Sequence, residues 1–106
     1  MKTKKFIVYA DPGHSWVKVK FTDLLDLDIH LSITPYSYTR NGYVYLEEDL
    51  DAGTLIDALR AKDIEPYWVV KHTNKQSKIR SYSHYVAPKV YTKDYFRTSA
   101  ASSCSG

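Results

Sequence analysis

The dipeptide Asn41-Gly42, set inside LSITPYSYTRNGYVYLEE (31–48), constrains this chain more than any other feature. Both residues tolerate the positive φ that a two-residue hairpin turn demands, so the segments on either side must fold back as antiparallel strands. In the second arm Tyr43, Tyr45 and Glu47 alternate with Val44, Leu46 and Glu48, which sends Val44 and Leu46 toward a core. Pro35 in the first arm lacks an N–H and demotes that arm to an edge or irregular strand.

A second turn signal lies upstream in YADPGHSW (9–16), where Pro12 and Gly13 follow Asp11. Before it, KKFIVYA (4–10) is apolar and β-branched. After it, SWVKVKF (15–21) puts Val17, Val19 and Phe21 on one face and Trp16, Lys18 and Lys20 on the other. TDLLDLD (22–28) reads as a short helix capped by Thr22 or Asp23, with Leu24, Leu25 and Leu27 inward. DAGTLIDALRAKD (51–63) is the clearest helix: Ala52, Leu55, Ile56 and Leu59 form one apolar stripe, and Asp49 or Asp51 is placed to cap it. EPYWVVKH (65–72) is a fifth strand and TNKQSK a polar loop. Beyond that loop the periodicity is poor, consistent with one short strand and an irregular arm. The expected fold is α+β, an antiparallel sheet of about five strands with two helices on one face, in the order ββαββαβ. Residues 1–97 form a single domain in this reading, and the small-residue stretch 98–106 a disordered tail.

Charge is segregated along the chain. Residues 1–20 hold five lysines and one aspartate, residues 21–66 three basic and ten acidic side chains, and residues 67–106 seven basic and one acidic. Basic ends around an acidic middle suit a protein with surfaces of opposite sign, one of which could attract a polyanion or an acidic partner. Alternatively, the ends neutralise the middle in the folded state. Ten of the aromatic residues are tyrosine, which favours strands and leaves hydroxyls available. The single cysteine, Cys104, rules out an intrachain disulfide, so a reducing cytoplasm is the expected location. No apolar run approaches membrane-spanning length, and no membrane partner is expected.

Three groups of residues could carry chemistry. His14 and Asp11, three apart across a turn, could form a catalytic His–Asp pair; the simpler reading has Asp11 closing the turn and His14 packing beside Trp16. Glu47, Asp49 and Asp51, with Glu48 between them, offer oxygen ligands for Mg²⁺ or Mn²⁺, with His14 or His72 as a further ligand; Asp49 and Asp51 also suit a helix N-terminus. The third group interleaves cations with rings: Lys71, His72, Lys75, Lys78, Arg80, Tyr82, His84 and Tyr85, continuing to Lys89, Tyr91 and Lys93. That mixture suits phosphates and stacked bases, or a protein interface. There is no glycine-rich phosphate loop and no nucleophile-elbow serine, and no cofactor is implied.

ADPGHSWVKV, ITPYSYTRNGYVYLEEDLDAG and SKIRSYSHY together resemble a group of small proteins encoded by tailed bacteriophages and prophages, over roughly residues 6 to 85. The resemblance implies a setting, a phage accessory protein in the bacterial host cytoplasm, and brings no activity with it. Proteins of that size and setting are often inhibitors of a host defence system or of a host enzyme. The leading expectation is therefore a non-enzymatic protein that binds a host macromolecule or a nucleotide ligand through the Tyr-rich basic surface. The alternatives are a small metal-dependent hydrolase or nuclease built on residues 47–51 with His14, and a nucleic-acid-binding accessory protein.

Overall fold

The computed structural model describes residues 2–87. The expected disordered tail 98–106, and Lys89, Tyr91 and Lys93, lie outside the described residues. The chain is α+β, with a six-stranded sheet and two helices: β1 Lys2–Ala10, β2 Ser15–Lys20, α1 Phe21–Asp26, β3 Tyr38–Arg40, β4 Tyr43–Glu47, α2 Asp51–Ala61, β5 Ile64–His72 and β6 Ser83–His84. A single turn of 3-10 helix, Lys78–Ser81, precedes β6.

The two hairpins form at the two turn signals. Asn41 and Gly42 have φ of 54° and 82°, and β3 pairs with β4 across them. β1 pairs with β2 around Asp11–His14, with Tyr9 opposite Trp16. β2 then joins the hairpins by pairing with β4. Pro35 lies before the short β3 strand, and β3 is not an edge, because β6 pairs with its outer side.

The sheet order is β5-β1-β2-β4-β3-β6. It departs from the all-antiparallel, five-strand expectation at both margins. β5 lies parallel to β1 over nine residues, from Lys2 opposite Ile64 to Ala10 opposite His72. The physical reason is the connection. α2 carries the chain from β4 across β2 and β1 to the far edge, and a helical crossover of this kind returns a strand parallel rather than antiparallel. At the other margin β6 adds a two-residue strand from a segment with little periodicity.

Two hydrogen bonds set the orientation of β5. Thr73 N donates to Ala10 O and Lys2 N donates to Asp63 O. In an unbroken parallel register, odd-numbered residues of β5 therefore turn their backbone groups to β1 and even-numbered ones turn outward. Pro66 is even-numbered. Its missing donor falls on the open edge, where it costs no ladder bond and where proline also discourages pairing with another chain.

Side chains alternate between two unlike faces. Val17, Val19, Val44, Leu46 and Phe6 pack with Leu24 of α1 and Ala52, Leu55 and Leu59 of α2 to form the main core. Both helices thus cover one face. Each begins differently from the sequence expectation. α1 starts at Phe21 with Lys20 as N-cap residue, and neither Thr22 nor Asp23 caps it; Asp23 instead faces Lys4 at 3.2 Å. α2 has Leu50 at its N-cap and no side-chain cap bond. Glu47 closes the approach, accepting the N–H groups of Asp49 and Leu50 at 3.0 and 3.1 Å. The opposite face of the sheet is aromatic: Trp16, Tyr45 and Ile79 are buried there, with Tyr9, Tyr38, Tyr43 and Tyr82 packed around them.

Candidate functional site

The aromatic face is organised by one carboxylate. Asp11 Oδ1 accepts the N–H groups of Gly13 and His14 at 3.0 and 2.9 Å, which closes the β1–β2 turn. The same carboxylate accepts Ser77 N at 2.9 Å, Arg80 Nε at 2.7 Å and Arg80 Nη2 at 3.0 Å. Its side chain is 1% exposed. Arg80, chiefly, and the Ser77 N–H hold the Asp11 carboxyl well below the ordinary carboxylate range. Asp11 in turn pushes the Arg80 guanidinium up. Five donors fill the acceptor capacity of one carboxylate. The carboxylate is thus spent on Arg80 and the backbone rather than on the His14 imidazole, which corrects the His14–Asp11 catalytic alternative. The His14 ring lies 6.1 Å from the Trp16 ring, and the Arg80 guanidinium lies over the Trp16 ring at 5.3 Å.

Arg80 and Ile79 pin the 3-10 turn onto the sheet, and a pocket opens on each side of it. The first, about 510 Å³, has a floor of Tyr45 and Ile79 and walls that include Tyr9 and Tyr82. Tyr45 lies 6.3 Å from Tyr9 and 5.1 Å from Tyr82, centroid to centroid, so it contacts both other rings. Burial, followed by the neighbouring Tyr82, raises the Tyr45 hydroxyl above its ordinary range. Lys18, Lys75 and Lys78 supply the charge, and no carboxylate lines this pocket among the described residues.

The second pocket, about 380 Å³, lies on the Trp16 side. His14, Glu47 and Asp49 gather at it, each offering a ligand atom within 4.8 Å of the others'. This is the candidate metal group that the acidic run suggested, with one change of membership. Asp51 does not join it. It is 1% exposed and accepts Thr34 N, Thr34 Oγ1 and Ser37 Oγ, which ties the loop before β3 to the start of α2. Glu48 accepts the Ser15 hydroxyl at 2.6 Å. Two of the four carboxylates of the run therefore hold loops, and Glu47 holds a turn.

The eight candidate binding residues separate. Lys75, Lys78 and Tyr82 line the first pocket, and Arg80 lines the second. Lys71 and His72 are exposed at the end of β5. His84 is exposed, stacks on Tyr38 at 4.8 Å and shares a hydrogen bond with Pro35 O. Tyr85 is a correction. It is 3% exposed, belongs to the main core and donates its hydroxyl to His30 O. It sits where the chain crosses from the aromatic face to the helix side after β6, a reversal that no periodicity announces. Lys18 and Tyr45 complete the first pocket from strands whose outward faces were legible as alternation, and Tyr9 joins them from β1, whose apolar, β-branched sequence marked no outward face. Only the pairing of β1, β2 and β4 makes them neighbours.

These features define an α+β protein with a mixed six-stranded sheet, helices on one face and an aromatic, charged face on the other. Comparison with family models, with curated proteins and with solved structures returns no match. No helix among the described residues is long and apolar enough to cross a membrane.

Proposed function

We propose that this chain is a non-enzymatic binding protein of phage type, acting in the bacterial cytoplasm on a host process. Its first pocket takes a nucleotide-containing ligand. One observation carries the reading: three tyrosines and three lysines converge on one pocket that no carboxylate lines among the described residues. Planar rings accept a base or ribose by apolar contact, and ammonium groups accept phosphate. Thr73, Gln76 and Ser77 at the rim add polar groups suited to fixing orientation. Segregated charge in the sequence and the resemblance to phage proteins agree with this reading.

The test is calorimetric titration with a nucleoside monophosphate, a ten-residue oligothymidylate and pyrophosphate. Binding of the first or second that is lost in the Lys75→Glu, Lys78→Glu double variant supports the proposal and distinguishes a free nucleotide from single-stranded nucleic acid. Equal affinity for pyrophosphate removes the role of the rings, and no binding of any of the three overturns the reading.

A metal-dependent hydrolase at His14, Glu47 and Asp49 is the second reading, resting on their mutual approach. The first is preferred because both oxygens of Glu47 already accept backbone N–H groups.

A further inference from the structure

We infer that the second pocket is a receptor for a basic side chain, lysine or arginine, presented by a protein partner. The argument starts from charge. Glu47, whose two oxygens accept the Asp49 and Leu50 N–H groups, contributes its charge to the pocket, and the exposed Asp49 contributes a carboxylate for direct contact. Arg80 also reaches it, but its charge is matched by Asp11 through two hydrogen bonds. The pocket is thus acidic where its neighbour, across the 3-10 turn, is basic. The two cannot favour the same chemical group.

The walls give the second half of the argument. Trp16, buried beneath Arg80, forms the base of the pocket, and the half-buried Tyr38 and exposed Tyr36 present ring surface beside the carboxylates. Aromatic faces attract ammonium and guanidinium groups, and adjoining carboxylates add charge-assisted hydrogen bonds. The rim is apolar and uncovered: Tyr36 is 67% exposed and Leu50 is 51% exposed. An aliphatic stem running over Tyr36 and Leu50, with a cationic head between Tyr38 and the carboxylates, covers that surface and neutralises that charge together. A bare inorganic cation would use the charge and leave the rim unexplained. Lysine and arginine side chains have both parts.

The experiment is an amide NMR titration of the full ¹⁵N-labelled chain with three neutral-backbone probes: N-acetyl-arginine, N-acetyl-lysine and N-acetyl-norleucine N-methylamides. The expected result is saturable shifts at Tyr36, Tyr38, Asp49, Leu50 and the Trp16 indole with one or both basic probes, and none with norleucine. Which basic probe responds identifies the head group. Asp49 is exposed, so Asp49→Asn keeps the fold while removing one charge; it should weaken binding by about fivefold or more. The Lys75→Glu, Lys78→Glu variant should respond as wild type, which keeps this site's failure distinct from failure of the first pocket. Equal response to norleucine, unchanged affinity in Asp49→Asn, or no shift at any soluble probe concentration overturns the inference. Broadening of the same amides by Mn²⁺, with no response to either basic probe, overturns it in favour of a metal site.

Discussion

Asp11 and Arg80 are separated by 69 positions in the chain and meet through two hydrogen bonds of 2.7 and 3.0 Å. That clasp joins the first turn of the protein to the 3-10 turn that divides the two pockets. Arg80 then lies over Trp16, so one ion pair sets the position of a pocket wall as well as of a loop. Shape on this face depends on an interaction, not on a regular element.

The clasp has a defined pH dependence. The folded state holds the Asp11 carboxyl well below its ordinary value of 3.8, so its contribution is complete above that value. It drains away as pH falls from there toward the folded value. Asp11→Asn keeps an oxygen for the turn N–H groups and removes the charge facing Arg80. Thermal melts from pH 3 to 7 should show Asp11→Asn less stable than wild type at neutral pH. The gap should narrow as pH drops below the ordinary carboxylate value. A gap that stays constant across the range would show that the charge of Asp11 contributes nothing.

Tyr85 should behave as a core residue. Tyr85→Phe removes the buried hydroxyl that donates to the His30 carbonyl, which costs about 1–3 kcal/mol by denaturant unfolding. Its hydroxyl is pushed up to about 12, by burial first and by the Asp51 charge second. A raised value means that the fold favours the neutral phenol. The stabilisation is therefore complete below the ordinary value of 10.0 and is lost as pH rises from there toward about 12. Tyr85→Phe should lack this component of alkaline destabilisation. Loss of ligand binding in Tyr85→Phe without loss of stability would return the residue to the binding surface.

Asp51 and Asp49 are two residues apart and should respond oppositely. Asp51→Asn disturbs a buried carboxylate that gathers Thr34 and Ser37, at a cost of about 1–3 kcal/mol. Asp49→Asn, at an exposed position, should change stability by less than about 0.5 kcal/mol. Millimolar Mn²⁺ should leave the melting temperature of both variants and of wild type unchanged, because a site present only in the native state would have to stabilise it. A saturable rise in wild type, abolished by Asp49→Asn, would establish the metal site.

The hairpins and the long helix were legible in the sequence because their signals are local: positive-φ residues at Asn41-Gly42, alternation around Val44 and Leu46, and the stripe from Ala52 to Leu59. The parallel pairing of β5 was not, since nothing in EPYWVVKH specifies which strand it will join. Only the outward position of Pro66, read after the register is known, agrees with it. The site was legible in kind and not in membership. The basic and aromatic residues after position 70 were recognisable as chemistry. Their partners Tyr9, Lys18 and Tyr45 come from three other strands, and contacts of that separation leave no mark on local pattern. Tyr85 shows the converse, a residue whose neighbours in sequence face the surface while it faces the core.

Pro66 offers a test of the edge. Pro66→Thr restores a donor to the outward side of β5 without adding a bond to β1. Folding stability should change by no more than about 1 kcal/mol, in keeping with a half-buried edge position. Self-association should rise, because the strand then offers an unbroken row of backbone groups beside the exposed Tyr67 and Val70. Sedimentation velocity at increasing concentration measures this. A substantially destabilised monomer would mean that proline's fixed φ, rather than its missing donor, is what the edge requires.

The first pocket is tested by separating charge from ring contact. Lys75 and Lys78 are exposed, and reversing both should leave the melting temperature close to wild type while weakening nucleotide binding by about tenfold or more at low salt. That deficit should shrink as salt rises, because exposed charges farther apart than about 10 Å are largely screened at 0.1 M. Tyr82→Ala should act differently. Its ring is half-buried against Tyr45 and sits 4.9 Å from the Arg40 guanidinium, so its loss costs both binding and some stability. The binding loss should persist at high salt, since apolar and stacking contacts are screened little. Titrations of the two variants at low and high salt decide the matter. Parallel salt dependence in both would show that Tyr82 contributes only by holding Lys78 in place, and that the ligand is recognised by its phosphates alone.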